Sequence, residues 1–206
     1  MKIFETPEAL AVAFARDVAG RLRVEIAATG RAGLAVSGGT TPVRFFQALS
    51  REVLDWARVV VTLVDERCVS EDSPRSNTAS VKAHLLQNEA AKARFVPTGD
   101  ETALTVAVLG MGLDGHTASL FPGGDHLAEA LDPAGRAVVL PMTAPNAGEP
   151  RVTLTLPVLL GAKFLALHIE GLAKRQVLEH AQQPGPVAEM PVRAVLARNP
   201  EIYWSP

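Results

Sequence analysis

His116 is the residue of this chain whose type and setting most directly suggest bond-breaking chemistry. It stands in the run Gly110-Met111-Gly112-Leu113-Asp114-Gly115-His116-Thr117-Ala118-Ser119-Leu120-Phe121-Pro122-Gly123. Imidazole exchanges protons near neutral pH, and glycine-rich backbone can crowd a ligand. His116 is therefore a candidate general base or acid, with Asp114 beside it. Gly110 to Gly115 also matches GxGxxG, the fingerprint of dinucleotide sites. That fingerprint belongs after a first strand and opens a helix, whereas this copy lies mid-chain and soon reaches Pro122-Gly123. A lone histidine is more often a structural side chain; the glycines and Asp114 favour catalysis here.

Further runs carry residue types that packing explains poorly. Ser37-Gly38-Gly39-Thr40-Thr41-Pro42 offers paired glycines for close backbone approach, hydroxyls that can cap a helix, and Pro42 at a first helical position. Free N–H groups at such a turn suit a phosphate, with a plain capped turn as the bland alternative. No Gly-Lys-Ser/Thr follows, which argues against a nucleotide P-loop. Asp65-Glu66-Arg67 closes an apolar run and leads through Ser73 and Ser76 to Asn77. There Arg67 can clamp an oxyanion and Asp65 can hold hydroxyls; the alternative is a salt-bridged surface turn. Arg151 begins Arg-Val-Thr-Leu-Thr-Leu-Pro, and Lys174 sits in Gly171-Leu-Ala-Lys at the opening of a helix, where a cation is unfavourable unless an anion joins it. Taken singly, either cation reads as a solvated surface charge. His84, His126, His168 and His180 have no spacing that pairs them with carboxylates as metal ligands, so no metal is expected.

These runs need a scaffold, and the apolar periodicity supplies one. Residues 6–28 read as a helix, with Thr6 as N-cap, Pro7 at the first helical position, Gly30 beyond the end, and Leu10, Phe14, Val18, Leu22 and Ile26 recurring every fourth residue. Short apolar runs at Leu34–Val36, Val59–Val64, Thr105–Leu109, Ala137–Leu140, Phe164–Ile169 and Val192–Leu196 read as strands. Helical patterns fall between them at Pro42–Leu54, Ser76–Leu86 and Leu172–Ala181. Pro184-Gly185-Pro186 reads as a loop before the last strand. The expected fold is α/β and Rossmann-like: one domain over residues 1–206, with a mostly parallel sheet covered by helices on both faces. Ligands of such sheets bind at the carboxyl ends of the strands, where the runs above fall.

Bulk properties exclude several classes of function. Twenty Lys and Arg against 22 Asp and Glu leave a net charge of −2, so nothing draws the chain toward nucleic acid or an anionic membrane. No apolar run approaches the roughly 20 residues of a membrane span, and the opening MKIFETPEAL lacks a signal-peptide core, so mature structure is expected from the start. The single cysteine, Cys68, fits a reducing cytoplasm and is expected buried at a strand end rather than acting as nucleophile. A monomer is expected.

In order, SGGTTP, VDER with its following Ser-Asn, GMGLDGHTASLFPG, RVTLTLPVLL and GLAK resemble the 6-phosphogluconolactonase family over residues Leu34 to Ala181. The Asp-Gly-His-Thr-Ala-Ser-Leu-Phe-Pro-Gly segment is the most specific part. The resemblance implies hydrolysis of 6-phosphogluconolactone to 6-phosphogluconate without metal or organic cofactor, on a sheet related to that of glucosamine-6-phosphate deaminase. It implies His116 as the base that activates water. Arg67, Arg151 and Lys174 then hold phosphate and developing charge, Gly38, Gly39 and Thr40 line the anion pocket, and Asp65 and Asp114 orient hydroxyls or the imidazole. The stretch Gln87–Leu104 is shorter than the family's, which implies a trimmed surface helix. Two other functions fit parts of the pattern less well. A deaminase carries a Glu before Pro-Gly after its histidine, and Ala118–Phe121 holds no acid. A non-catalytic sugar-phosphate sensor needs a DNA-binding module that neither the acidic N-terminus nor the charge supplies.

Overall fold

The computed structural model describes residues 1–206. The chain opens with strand β1 (Lys2–Ile3) and helix α1 (Pro7–Thr29). The Thr6 hydroxyl accepts from Ala9 N–H at 3.1 Å, and Gly30 ends the helix in the left-handed region, its N–H donating to Ile26 C=O at 2.8 Å. Leu10, Phe14, Val18 and Leu22 form the buried stripe that the spacing predicts. There follow β2 (Ala32–Val36), α2 (Val43–Leu49), β3 (Val59–Leu63), β4 (Asp65–Arg67), α3 (Asn77–His84), β5 (Arg94–Phe95) and β6 (Val106–Leu109). The second half contains α4 (Leu127–Leu131), β7 (Val139–Met142), β8 (Arg151–Leu154), α5 (Leu156–Leu160), β9 (Phe164–Glu170), α6 (Leu172–Ala181), α7 (Val192–Leu196) and β10 (Glu201–Ser205).

Seven strands form one parallel sheet in the order β1-β10-β9-β6-β2-β3-β5. Successive side chains alternate between its faces. Leu34, Val36, Val106 and Val108 join the cluster under α1 and α2, whereas Ala35, Ala107 and Leu109 join the opposite one, built on α4, α5, α6 and α7. Both faces are thus covered, as expected of the near-continuous apolar strands. From β2 the chain winds outward to β3 and returns on the other side to β6, so the β2/β6 boundary is a topological switch point. Both glycine-rich runs begin there, at the carboxyl ends of β2 and β6.

Several expected elements differ. Val192–Leu196 is the helix α7, not a strand: Pro191 at its N-cap presets φ at −59°, and Val192 and Val195 are buried at helical spacing. The last strand is β10, whose apolar core Ile202-Tyr203-Trp204 pairs with β9 and β1. Its leading Glu201 hides it from an apolar-run reading. The run expected at Ala137–Leu140 starts later, as β7, and belongs to a separate antiparallel sheet of order β4-β8-β7. The helix expected over Pro42–Leu54 spans only Val43–Leu49, with Pro42 at its N-cap. The Gln87–Leu104 stretch holds one 3-10 turn, Asn88–Lys92, and β5; the buried Glu101 ties it down through Arg31 at 2.8 Å. Cys68 is exposed rather than buried, because it follows the edge strand β4 and only its backbone is engaged, donating to Pro150 C=O at 2.8 Å. No helix is long and apolar enough to cross a membrane.

Candidate active site

The turn after β6 is built around the histidine. Thr117 donates its hydroxyl to Gly110 C=O at 2.8 Å, and Gly112 N–H donates to His116 C=O at 2.9 Å, folding the run back on itself. Gly115 takes φ +78°, and Ala118 takes φ +48°, a left-handed conformation uncommon without glycine. Asp114 accepts from His116 N–H at 3.1 Å, and its Oδ1 lies 2.5 Å from His116 Nδ1. Burial would raise the Asp114 carboxyl, but hydrogen bonds and charge from His116 outweigh it and hold it below the usual carboxylate range. A carboxylate there accepts a hydrogen bond from Nδ1–H, the tautomer that leaves the imidazole lone pair on Nε2. The GxGxxG match has a steric rather than a nucleotide meaning. A Cβ on Gly112 would lie 2.2 Å from the imidazole, so this glycine is the space the ring occupies. Gly112→Ala is therefore expected to push the ring off its position and lower turnover at least about tenfold, as measured by steady-state kinetics on folded protein. Turnover equal to the parent would refute that steric account.

The second sheet brings the charged residues. In β4, side chains alternate, so Asp65 and Arg67 face the same cavity while Glu66 points away. Glu66 accepts from the backbone N–H groups of Asn77 and Thr78, at 2.8 and 2.7 Å, and so caps α3 rather than meeting a ligand. Asp65 is buried and accepts from the Ser119 hydroxyl at 2.6 Å. Burial pushes its carboxyl up, against the opposing effects of Ser119 and Arg151, whose Nη1 is 4.0 Å away. Arg151 lies directly across the ladder from Arg67, and its Nη2 donates to Ala147 C=O at 2.6 Å. Burial, then the nearby Arg67, lower the Arg151 guanidinium from its ordinary value. The Nε atoms of both arginines are buried without a partner.

The turn after β2 completes the wall. Ser37 Oγ accepts from Gly110 N–H at 3.1 Å and so joins the two glycine runs. Asn77 Nδ2 donates to Asp65 C=O at 2.9 Å, and a Cβ on Gly38 would lie 2.0 Å from Asn77 Oδ1, so Gly38 must lack one. From the first turn of α6, Lys174 reaches to 3.5 Å from Thr41 Oγ1; burial lowers its pKa, opposed by Glu170.

These groups converge on a cavity of about 260 Å³ at the carboxyl edge of the sheet. Gly38, Gly39, Thr40, Thr41 and Asn77 line one part of it, and Asp65, Arg67, His116, Arg151 and Lys174 supply its charge and its imidazole. Asp114 is the predicted site residue outside the lining; it sits behind the imidazole. Sequence reasoning missed Ser119, which fixes Asp65, as well as Phe121, beside the imidazole, and His168, a cavity-lining histidine 3.1 Å from Glu170. All lie in quoted runs or strands, but no spacing rule pairs Asp65 with Ser119 across 54 positions.

Comparison with known proteins gives this cavity its context. The family model described as glucosamine-6-phosphate isomerases/6-phosphogluconolactonase matches residues 5–107 and 97–204. The chain belongs to this family. The two matched segments overlap at 97–107, across the end of the Gln87–Leu104 stretch and the start of β6. A 6-phosphogluconolactonase of Rhizobium meliloti is 52% identical over 228 residues, covering 100% of this chain and 98% of its own. A crystal structure of a 6-phosphogluconolactonase from Shewanella baltica superposes with a TM-score of 0.94 at 37% identity, covering 100% of this chain and 97% of that one. A monomeric glucosamine-6-phosphate deaminase shares the fold alone, at 18% identity and a TM-score of 0.77.

Proposed function

We propose that the chain hydrolyses 6-phospho-D-glucono-1,5-lactone to 6-phospho-D-gluconate in the oxidative pentose phosphate pathway, acting as a cytoplasmic monomer. The observation that carries this reading is the His116–Asp114 pair at 2.5 Å, opening into a cavity that also holds two arginines and a half-buried lysine. The names of the full-length relatives support the same substrate.

In this reading His116 Nε2 takes a proton from water as the water oxygen bonds to the lactone carbonyl carbon. The carbonyl becomes an oxyanion beside Arg151, and Asp114 stabilises the imidazolium. Collapse breaks the bond to the ring oxygen, which takes the proton back from Nε2, leaving a carboxylic acid that ionises in water. Lys174, Thr41 and the Gly38–Thr41 turn hold the phosphate, Arg67 adds to the positive field, and Asp65 and Asn77 hold sugar hydroxyls. None of these steps calls for a metal or an organic cofactor.

The deaminase rival needs an acid between the histidine and Pro122. The residues there are Thr117, Ala118, Ser119, Leu120 and Phe121, all buried and none acidic, with Ser119 engaged by Asp65. The test is purified protein mixed with freshly generated lactone, following acid release above the spontaneous rate, beside glucosamine 6-phosphate assayed for ammonia. Acid release well above background is expected. Ammonia release without it would sink the proposal.

A further inference from the structure

Phe121 lies near the end of the run from Gly110 to Gly123, and the mechanism above gives it no task. Its ring is buried, at 2% exposure. The ring centroid lies 4.1 Å from that of the His116 imidazole, with 32° between the planes. The Arg151 guanidinium carbon lies 5.5 Å from the same Phe121 centroid. Asp114 holds the imidazole by Nδ1, and the missing Cβ of Gly112 leaves just enough room for the ring. Phe121 is thus the apolar surface that the base and the guanidinium share.

The face of a benzene ring carries the negative part of its quadrupole and attracts a cation within about 6 Å. Arg151 is a cation throughout the reaction. His116 becomes one only when it accepts the proton of the attacking water. At that moment two positive groups stand near each other, with Arg67 across the ladder and with Asp114 and Asp65 as the carboxylates that meet them. A ring in contact with both offsets part of their repulsion when it arises, and it neither donates nor accepts a proton. We infer that Phe121 is a positioning residue that acts through His116 and Arg151: its ring seats the imidazole on Asp114 and favours the imidazolium formed as water attacks. This rests on the role proposed for His116.

The test replaces Phe121 by mono- and trifluorinated phenylalanine, which keep the ring's shape while draining its negative face, beside Phe121→Leu. Turnover is expected to fall stepwise, by about tenfold for the trifluorinated ring and at least as much for Phe121→Leu. KM is expected to stay within about threefold, because ground-state binding does not use the imidazolium. In the nuclear magnetic resonance spectrum, the carbon-bound protons of the His116 ring should lose their ring-current shift in Phe121→Leu. Turnover unchanged across the fluorinated series would reduce Phe121 to packing and overturn the inference, as would His116 resonances that do not move. His116→Ala, assayed alongside, separates the two ideas. If that variant loses turnover while the fluorinated series does not, only the inference about Phe121 falls. If it keeps turnover, the proposed base falls and Phe121 with it.

Discussion

Replacing His116 with alanine is expected to lower lactone turnover about a thousandfold, within the range of a hundredfold to ten-thousandfold typical of a lost general base. The residual rate should approach that of the lactone alone in buffer. Binding of 6-phosphogluconate, measured by calorimetry, should survive, because Lys174, Arg67 and Arg151 are untouched and the imidazole makes no bond to them. The same substitution removes the partner that holds the Asp114 carboxyl down, so Asp114 is expected to titrate at higher pH in the variant than in the parent. Turnover equal to the parent's would remove His116 from the reaction.

Lys174→Met is expected to have the next largest effect and a different kinetic signature. Methionine keeps the apolar stem and removes the charge, so the loss reports on the ammonium rather than on packing. Leaving a buried anion without its cation costs about 2 kcal/mol or more, which is about thirtyfold to a hundredfold in affinity. KM for the phosphorylated lactone should rise by that factor with turnover nearly unchanged, and glucono-1,5-lactone without phosphate should react equally well with both proteins. Because burial lowers the Lys174 pKa, phosphate affinity in the parent should begin to weaken below the usual lysine range as pH rises and the ammonium is lost. An equal loss on both lactones would show that Lys174 meets some other part of the substrate.

Much of the scaffold was legible because its signals are local. Thr6, Pro7 and Gly30 mark the ends of α1, and the buried parallel strands β2, β3, β6 and β9 read as short apolar runs between helical patterns. Signals that depend on the fold were not legible. Val192–Leu196 is a five-residue stretch, apolar except for Arg193, too short for periodicity to separate strand from helix, and the helix cue is Pro191 before it. The strand character of Asp65-Glu66-Arg67 was hidden by its charges, because it rests on pairing with Thr153, Val152 and Arg151 of β8 and not on its own sequence. For the site, residue types and glycine spacing were enough to select the cavity lining, since glycines that must lack a Cβ, such as Gly38 and Gly112, leave a visible mark. What Asp65 does depends on Ser119, Arg151 and burial, and those come together only across the two sheets.

The cross-strand pairing of Arg67 with Arg151 carries a wider consequence. Like charges placed opposite each other in a ladder weaken a sheet, and here they do so with both Nε atoms shut away from water. Evolution toward a sturdier protein would find an easy gain in neutralising either one and, with the roles proposed above for these arginines, would lose the grip on a negatively charged guest in doing so. Thermal hardening and catalytic competence therefore pull on the same two codons in opposite directions, and a heat-loving descendant of this chain would have to find its robustness elsewhere.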